Sequence, residues 1–158
     1  LGGALKNIYA IAAGLADGLG VGQNTKALLL TRALAEMSRL SAHMGGNPLS
    51  FLGLAGVGDL YVTSVSPLSR NFRIGQALAQ GHSLESAESN LGQVAEGVNT
   101  LRVVYEQCQR GDIAMPILTA LFEVIFGGKP VRQTALQMMQ AAHTSDVGFL
   151  VLGASPAL

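Results

Sequence analysis

The residues best suited to chemistry follow a pair of glycines near the middle of the chain. The glycines are Gly56 and Gly58, and Asp59 comes directly after the second of them. The hydroxyl of Thr63 follows Asp59 by four residues. Because glycine permits tight turns of the backbone, the sequence predicts a turn that places a carboxylate immediately beyond it.

A polar triplet, Ser69, Arg70 and Asn71, follows after a loop that contains proline. Helical spacing of the next apolar residues predicts a helix from Ser69 to about Ala79, with Ser69 as its N-cap. The start of a helix carries partial positive charge and unpaired N–H groups, and a guanidinium and an amide add further donors. These residues could therefore bind a phosphate or carboxylate, although an ordinary capped helix explains them too.

A lysine stands near the start of the first predicted helix. A cation is electrostatically better placed at the end of a helix than at its beginning, so Lys6 could serve another purpose. If folding brings Lys6 to Asp59, near the Ser69–Asn71 triplet, its amine could transfer a proton on an anionic substrate. A structural ion pair between Lys6 and Asp59 is the alternative that the spacing leaves open.

Composition excludes several classes of function. The 158 residues carry 10 basic and 10 acidic side chains, so we expect no bulk attraction to nucleic acid or to an anionic membrane. The single cysteine, Cys108, excludes an internal disulfide framework and fits a helical packing position. No signal-like start and no run of about 18 apolar residues is present, which predicts a soluble, cytoplasmic protein.

Two other patterns could suggest a site but are better explained by structure. Gly18-Leu19-Gly20-Val21-Gly22 superficially resembles a nucleotide-binding loop, yet it follows a predicted helix instead of a strand, so it predicts a helix–helix turn. His43 has no neighbours at metal-ligand spacing and is explained as a partner of the helix dipole, and His82 is expected in a loop, so no metal site is predicted.

The predicted fold is all-α, a multi-helix bundle. Almost half of the residues are apolar, aromatic residues are scarce, and the strong helix formers Ala and Leu are abundant. Wide apolar stripes suggest that one helix face contacts something beyond this chain. Asn24 or Thr25 is expected to cap the second helix, and a junction is expected over 93–97. The helices are predicted at 4–19, 25–44, 48–53, 69–79, 84–91 and 98–109, from Pro116, and at 130–142.

The second helix is predicted to bury one apolar stripe. Its members recur at spacings of three and four, with additional neighbours beside them. The stripe comprises Leu28, Leu29, Ala33, Leu34, Met37, Leu40 and Met44.

Five ordered stretches resemble the substrate domain of NAD(P)-dependent glycerol-3-phosphate dehydrogenase. Their order and spacing hold from Gly2 to about Gln140, which makes the resemblance specific although each stretch alone is weak. The stretches are Gly3–Asn7 with its continuation to Leu19, Phe51–Leu60, Leu68–Asn71, Gly92–Gly97 and Met115–Ile117.

The resemblance implies a fold like the C-terminal domain of the 6-phosphogluconate dehydrogenase superfamily over residues 1–142. The family's dinucleotide-binding domain would precede Leu1 and is absent, so we expect this chain to be inactive alone. NAD or NADP would be bound mainly by that domain, and the bare apolar face left behind predicts a homo-oligomer. Residues 143–158 resemble nothing in the family and form a tail of unknown role.

The resemblance also implies roles for individual residues in the interconversion of sn-glycerol 3-phosphate and dihydroxyacetone phosphate, a reaction of phospholipid biosynthesis. Lys6 resembles the family's catalytic lysine, which takes the proton of the C2 hydroxyl, and Asp59 orients it. The substrate-binding positions are Asn7, Thr63, Ser69, Arg70 and Asn71, and the positions beside the cofactor are Arg70, Val94 and Glu96.

Two other functions stay open at this point. The same superfamily fold could act on another small hydroxy acid, but the Ser69–Asn71 triplet favours a phosphomonoester. A non-catalytic helical module for dimerisation or interaction would need none of the proposed chemistry.

Overall fold

A computed structural model describes residues 2–92 and 94–140, and these residues form an all-α bundle without a β-strand. The predicted fold class is therefore confirmed. The α-helices are α1 (Gly2–Gly18), α2 (Gln23–His43), α3 (Asp59–Val65), α4 (Arg70–Ala79), α5 (Leu84–Leu91), α6 (Glu96–Arg110), α7 (Pro116–Ile125) and α8 (Val131–Gln140). A 3₁₀-helix, Pro48–Phe51, and a π-helical segment, Leu54–Gly58, lie between α2 and α3.

Helix α1 is the centre of the bundle. It packs against α2, α3, α4, α6 and α7, and every residue from 8 to 15 is buried. The Ala-rich sequence of α1 is apolar around its whole circumference, and such a helix must be covered on all sides. The five surrounding helices provide that cover. Lys6 and Asp17, near the two ends of α1, therefore project from a helix whose central residues are buried.

Glycines allow α1 and α4 to cross at very short distance. A Cβ atom added at Gly14 would overlap the carbonyl group of Phe72, and one added at Gly75 would overlap the carbonyl oxygen of Ile11. Since each glycine faces the backbone of the other helix, no larger residue fits either position. This crossing fixes the start of α4 relative to α1.

Several predicted helix starts are confirmed. The Oγ atom of Ser69 accepts a hydrogen bond from the N–H of Phe72 at 3.3 Å, so Ser69 is the N-cap of α4. Ser83 caps α5 in the same way, and Pro116 is the first residue of α7. Capping chemistry is local, which is why it can be identified from neighbouring residues alone.

The predicted start of α2 is wrong. The helix begins at Gln23, and Gly22 occupies the N-cap position with extended backbone and no side-chain cap. The N–H of Lys26 donates to the carbonyl oxygen of Gly22 at 3.1 Å, so the first helical hydrogen bond already spans Asn24 and Thr25. These two residues therefore lie inside the helix.

The predicted turn before Asp59 is also wrong. Leu54–Gly58 is a π-helical segment that continues directly into α3, and Asp59 is the first residue of that helix. A Cβ atom at Gly56 would overlap the backbone of Phe51. Gly56 therefore serves close backbone packing instead of an open turn.

The expected junction over 93–97 is shorter than predicted. Glu96 and Gly97 are the first two residues of α6, and Ala95 stands at its N-cap. The sequence suggested a break because glycine is unfavourable inside helices, but Gly97 lies in the first turn, where a close contact described below requires it.

Part of the predicted apolar stripe of α2 is exposed. Leu29, Ala33, Met37 and Leu40 are buried, whereas Leu28 is substantially exposed. Leu28 precedes Leu29 and so points about 100° away from it on the helix. Met44 is exposed as well, because it lies beyond the last helical residue.

Cys108 is buried in the core, as its helical position predicted. The end of the last predicted helix and the predicted tail over 143–158 lie outside the described residues. Within 2–92 and 94–140, no helix is both long enough and apolar enough to cross a lipid bilayer.

Candidate active site at the junction of four helices

Lys6 and Asp59 form a close ion pair between α1 and α3. The Nζ atom of Lys6 lies 2.5 Å from the Oδ2 atom of Asp59, although the two residues are 53 positions apart in sequence. The side chains retain 27% and 46% of their exposure. The amine is therefore held in place and still reachable from solvent.

Thr63 lies one helical turn after Asp59 and is partly buried. Its Oγ1 atom donates a hydrogen bond to the backbone carbonyl oxygen of Asp59 at 2.7 Å. The hydroxyl proton is thus engaged within α3, while the oxygen retains lone pairs that can accept a hydrogen bond. Thr63 and Asp59 share one face of α3.

The Ser69–Asn71 triplet lies at the start of α4, as predicted. Ser69 caps the helix, Arg70 is exposed at the first helical position, and Asn71 follows it and is buried. The cationic and amide groups therefore stand beside the positive end of a ten-residue helix. This arrangement attracts anions.

Asn71 joins α4 to α6 through Gly97, which also lies against α1. Its Oδ1 atom accepts a hydrogen bond from the N–H of Gly97 at 3.1 Å. A Cβ atom built on Gly97 would lie 2.8 Å from the carbonyl oxygen of Asn7 and 2.7 Å from the Oδ1 atom of Asn71. Asn7, Asn71 and Gly97 therefore meet at one point, next to Lys6 along α1.

These contacts bring together most of the residues that the sequence singled out. Lys6 reaches Asp59, and its neighbour Asn7 lies against Gly97 and, through it, Asn71. The starts of α1, α3, α4 and α6 thus form one connected junction.

Val94 and Glu96 lie beside this junction, at the start of α6, and both are exposed. The N–H of Ala95 between them donates to the Oε1 atom of Glu88 at 3.3 Å, which ties the segment to α5.

Comparison with known proteins shows the family to which this chain belongs. The family described as NAD-dependent glycerol-3-phosphate dehydrogenase C-terminus matches residues 1–136. The chain belongs to this family. The match extends over most of the 158 residues, so it confirms the resemblance stated above.

Curated relatives support the same assignment. Glycerol-3-phosphate dehydrogenase [NAD(P)+] of Acinetobacter baumannii strain ATCC 17978 is 56% identical over 151 residues, which are 96% of this chain and 42% of the relative. The Pseudomonas putida GB-1 protein of the same name is 53% identical over 95% of this chain and 44% of its own length. This chain therefore spans less than half the length of these relatives.

Solved structures show the same fold. The crystal structure of glycerol-3-phosphate dehydrogenase from Coxiella burnetii matches with a TM-score of 0.84 and 37% identity, covering 87% of this chain and 42% of that one. DsGPDH of Dunaliella salina matches with a TM-score of 0.75 and 32% identity, covering 89% and 29%.

This member of the glycerol-3-phosphate dehydrogenase family also contains a buried carboxylate that the sequence did not reveal. Glu36 on α2 is 3% exposed. Its Oε1 atom accepts from the N–H of Ile117 at 2.6 Å, and its Oε2 atom accepts from the N–H of Leu118 at 3.3 Å and from the Tyr9 hydroxyl at 2.9 Å. Glu36 therefore caps α7 from another helix.

Burial raises the pKa of Glu36 to about 7, because desolvation outweighs the hydrogen bonds from Ile117, Tyr9 and Leu118 that favour the ionised form. A sequence signal for this cap exists in hindsight. Met115 precedes Pro116 at the start of α7 and cannot cap it with a side-chain oxygen, so the helix needs an acceptor from elsewhere.

A second polar cluster lies at the opposite end of α1. The Nζ atom of Lys26 lies 2.6 Å from the Oδ1 atom of Asp17, and the Nε2 atom of Gln76 donates to Oδ2 at 2.8 Å. Hydrogen bonds from Lys26 and Gln76 hold the pKa of Asp17 below its usual value. Like Glu36, this cluster joins helices whose contact only the tertiary structure defines.

An apolar cavity lies between α1, α2, α7 and α8. It is lined by residues such as Leu15, Leu29, Leu121 and Met138, none of which is a proposed site residue. Among the residues described here, no group of three His, Cys, Asp or Glu side chains could hold a metal ion.

Proposed function

We propose that this chain is the substrate-binding and catalytic domain of a glycerol-3-phosphate dehydrogenase, interconverting sn-glycerol 3-phosphate and dihydroxyacetone phosphate. The observation that carries the proposal is the 2.5 Å contact between the Lys6 amine and the Asp59 carboxylate. Oriented by a neighbouring carboxylate and reachable from solvent, a lysine amine can exchange a proton with a bound substrate.

Lys6 would act on the oxygen at C2 of the substrate. When the alcohol is oxidised, its hydroxyl proton passes to the neutral amine, and when the ketone is reduced the ammonium returns that proton. Asp59 would hold the amine and hydrogen-bond a substrate hydroxyl, and the Thr63 oxygen beside it would do the same. Because charge develops on the C2 oxygen during the reaction, a fixed cation there lowers the barrier.

The start of α4 would hold the phosphate. Ser69 lies at the cap, Arg70 carries the cationic fork, and Asn71 supplies an amide. Asn7, the neighbour of Lys6, joins the same junction through Gly97 and would contact the substrate as well. Holding the phosphate at a distance from the reacting carbon fixes the orientation of C2.

Arg70, Val94 and Glu96 would contact NAD or NADP. Val94 and Glu96 are exposed beside the junction, and this placement fits a cofactor that reaches the site from outside the bundle. The nicotinamide, when bound, supplies hydride chemistry. A separate dinucleotide-binding domain would provide most of the cofactor contacts.

The proposed activity and the need for a separate dinucleotide-binding domain can be tested with a fusion enzyme and with this chain alone. A fusion enzyme would join this chain to the region of the Acinetobacter baumannii relative that precedes its matched part. We expect the fusion enzyme to oxidise NADH or NADPH with dihydroxyacetone phosphate, and we expect the 158-residue chain alone to show no turnover in the same assay. Turnover by the chain alone contradicts the need for a second domain. A fusion enzyme that prefers an unphosphorylated keto acid contradicts the proposed substrate.

We also propose that the chain assembles as a homo-oligomer. Large apolar side chains lie exposed on and beside α3, among them Tyr61, Val62 and Leu68, and such patches mark interaction surfaces. Sedimentation velocity at rising concentration should show association of the chain. A monomer throughout that range would argue against this assembly.

A further inference from the structure

Gly97 occupies the point where three helices carrying proposed site residues meet. Its N–H donates to the Oδ1 atom of Asn71 at 3.1 Å, and its α-carbon faces the carbonyl group of Asn7. A Cβ atom there would approach Asn71 to 2.7 Å and Asn7 to 2.8 Å. Both distances are shorter than real Cβ contacts allow, so any other residue must displace α6 or Asn71.

The hydrogen bond from Gly97 also determines which way the Asn71 amide points. A backbone N–H requires an acceptor, so the side-chain oxygen must face Gly97 and the NH₂ group must face away. No hydrogen bond from that NH₂ group to another described residue is seen. The NH₂ group of Asn71, with its two N–H donors, is therefore turned away from Gly97 at the start of α4.

We propose that Gly97 is a positioning residue that makes Asn71 a donor-only ligand for the phosphate oxygens of the substrate. The proposal rests on the function proposed above and extends it. Phosphate oxygens accept hydrogen bonds, whereas an amide oxygen turned toward them would repel them. The glycine thus acts on specificity through the orientation of a neighbouring side chain and touches no substrate itself.

The decisive comparison is Gly97→Ala against Gly18→Ala. A Cβ atom at Gly18 would meet Ala79 at 2.6 Å and Gln76 at 3.0 Å, so this control introduces a similar clash at the other end of α1. In the fusion enzyme, Gly97→Ala should raise KM for glycerol 3-phosphate by about 10- to 100-fold with a smaller change in kcat, since a displacement of about 1 Å can cost this much. Gly18→Ala should lower Tm and leave KM unchanged.

Binding of inorganic phosphate to the ¹⁵N-labelled chain provides a readout that needs no turnover. Phosphate should shift the side-chain NH₂ signals of Asn71 in the wild-type chain and in Gly18→Ala, and the apparent Kd for phosphate should rise by about 10- to 100-fold in Gly97→Ala.

If Gly97→Ala does not fold, Asn71→Asp takes its place, because it keeps an oxygen for the Gly97 N–H and loses both donors. It should weaken phosphate binding at least as much.

The results separate this inference from the proposed function. A fusion enzyme without dehydrogenase activity contradicts the proposed function, and the phosphate titration then decides the inference alone. Unchanged phosphate affinity in Gly97→Ala or in Asn71→Asp overturns the inference, as does an equal loss of affinity in Gly18→Ala. Unperturbed Asn71 NH₂ signals in the wild-type chain overturn it as well.

Discussion

Alanine in place of Lys6 should lower kcat of the fusion enzyme by about 100- to 10,000-fold, the usual contribution of general acid–base catalysis. The amine lies 2.5 Å from Asp59 and is the group proposed to exchange the C2 hydroxyl proton. Without it, no nearby side chain of this chain is assigned to accept or return that proton. Steady-state rates of NADH oxidation with saturating dihydroxyacetone phosphate measure the effect.

Lys26→Ala is the matched control for this experiment. Lys26 also pairs with an aspartate, at 2.6 Å, and its side chain is exposed to almost the same extent as that of Lys6. The control removes an equivalent ion pair at the opposite end of α1, so it should leave kcat within a few-fold of the wild type. Equal rates for wild type and Lys6→Ala would favour the non-catalytic interaction module.

Alanine in place of Glu36 should destabilise the chain by at least about 3 kcal/mol, because each buried donor that loses its acceptor costs about 1–3 kcal/mol. Three donors depend on this carboxyl group: the N–H groups of Ile117 and Leu118 and the hydroxyl of Tyr9. Chemical unfolding monitored by far-UV circular dichroism measures the loss. A stability change below about 1 kcal/mol, less than a single orphaned donor should cost, would contradict the role of Glu36 as the cap of α7.

Glu36 should also make stability depend on pH. Its pKa in the folded chain is about 7, above the usual value of 4.5, because burial disfavours the charge. The folded state therefore binds the proton more tightly than the unfolded state. The stabilisation is fully present below about pH 4.5 and is lost as pH rises through 7, a change of about 3 kcal/mol if this group acts alone.

Glu36→Gln isolates this dependence, since glutamine keeps the shape of the side chain and does not titrate. The other charged or titratable groups that act on Glu36 are Tyr9 on α1, Arg39 on α2 and Cys108 on α6, and all three remain in the variant. The difference in unfolding free energy, wild type minus Glu36→Gln, should fall between pH 4.5 and 7. A difference that stays constant or rises over this interval would contradict the raised pKa.

Local signals in the sequence were sufficient for most helices. The N-caps Ser69 and Ser83 and the first-turn Pro116 act on residues within one helical turn, so their meaning does not depend on the rest of the fold. Glycine was the exception. Gly56 and Gly97 suggested breaks in the backbone, but both lie in helical segments that pack closely against another part of the chain.

The sequence by itself determined the helical class, most helix positions and, through ordered motifs, the family. Only the tertiary structure decided that Lys6 reaches Asp59, that the N–H of Gly97 bonds Asn71, and that Gly97 lies against Asn7. Periodicity and capping are properties of neighbouring residues, whereas these contacts join residues at least 26 positions apart in sequence. The geometry of these contacts depends on how closely the other helices pack against α1, and that distance is set by packing across the whole bundle.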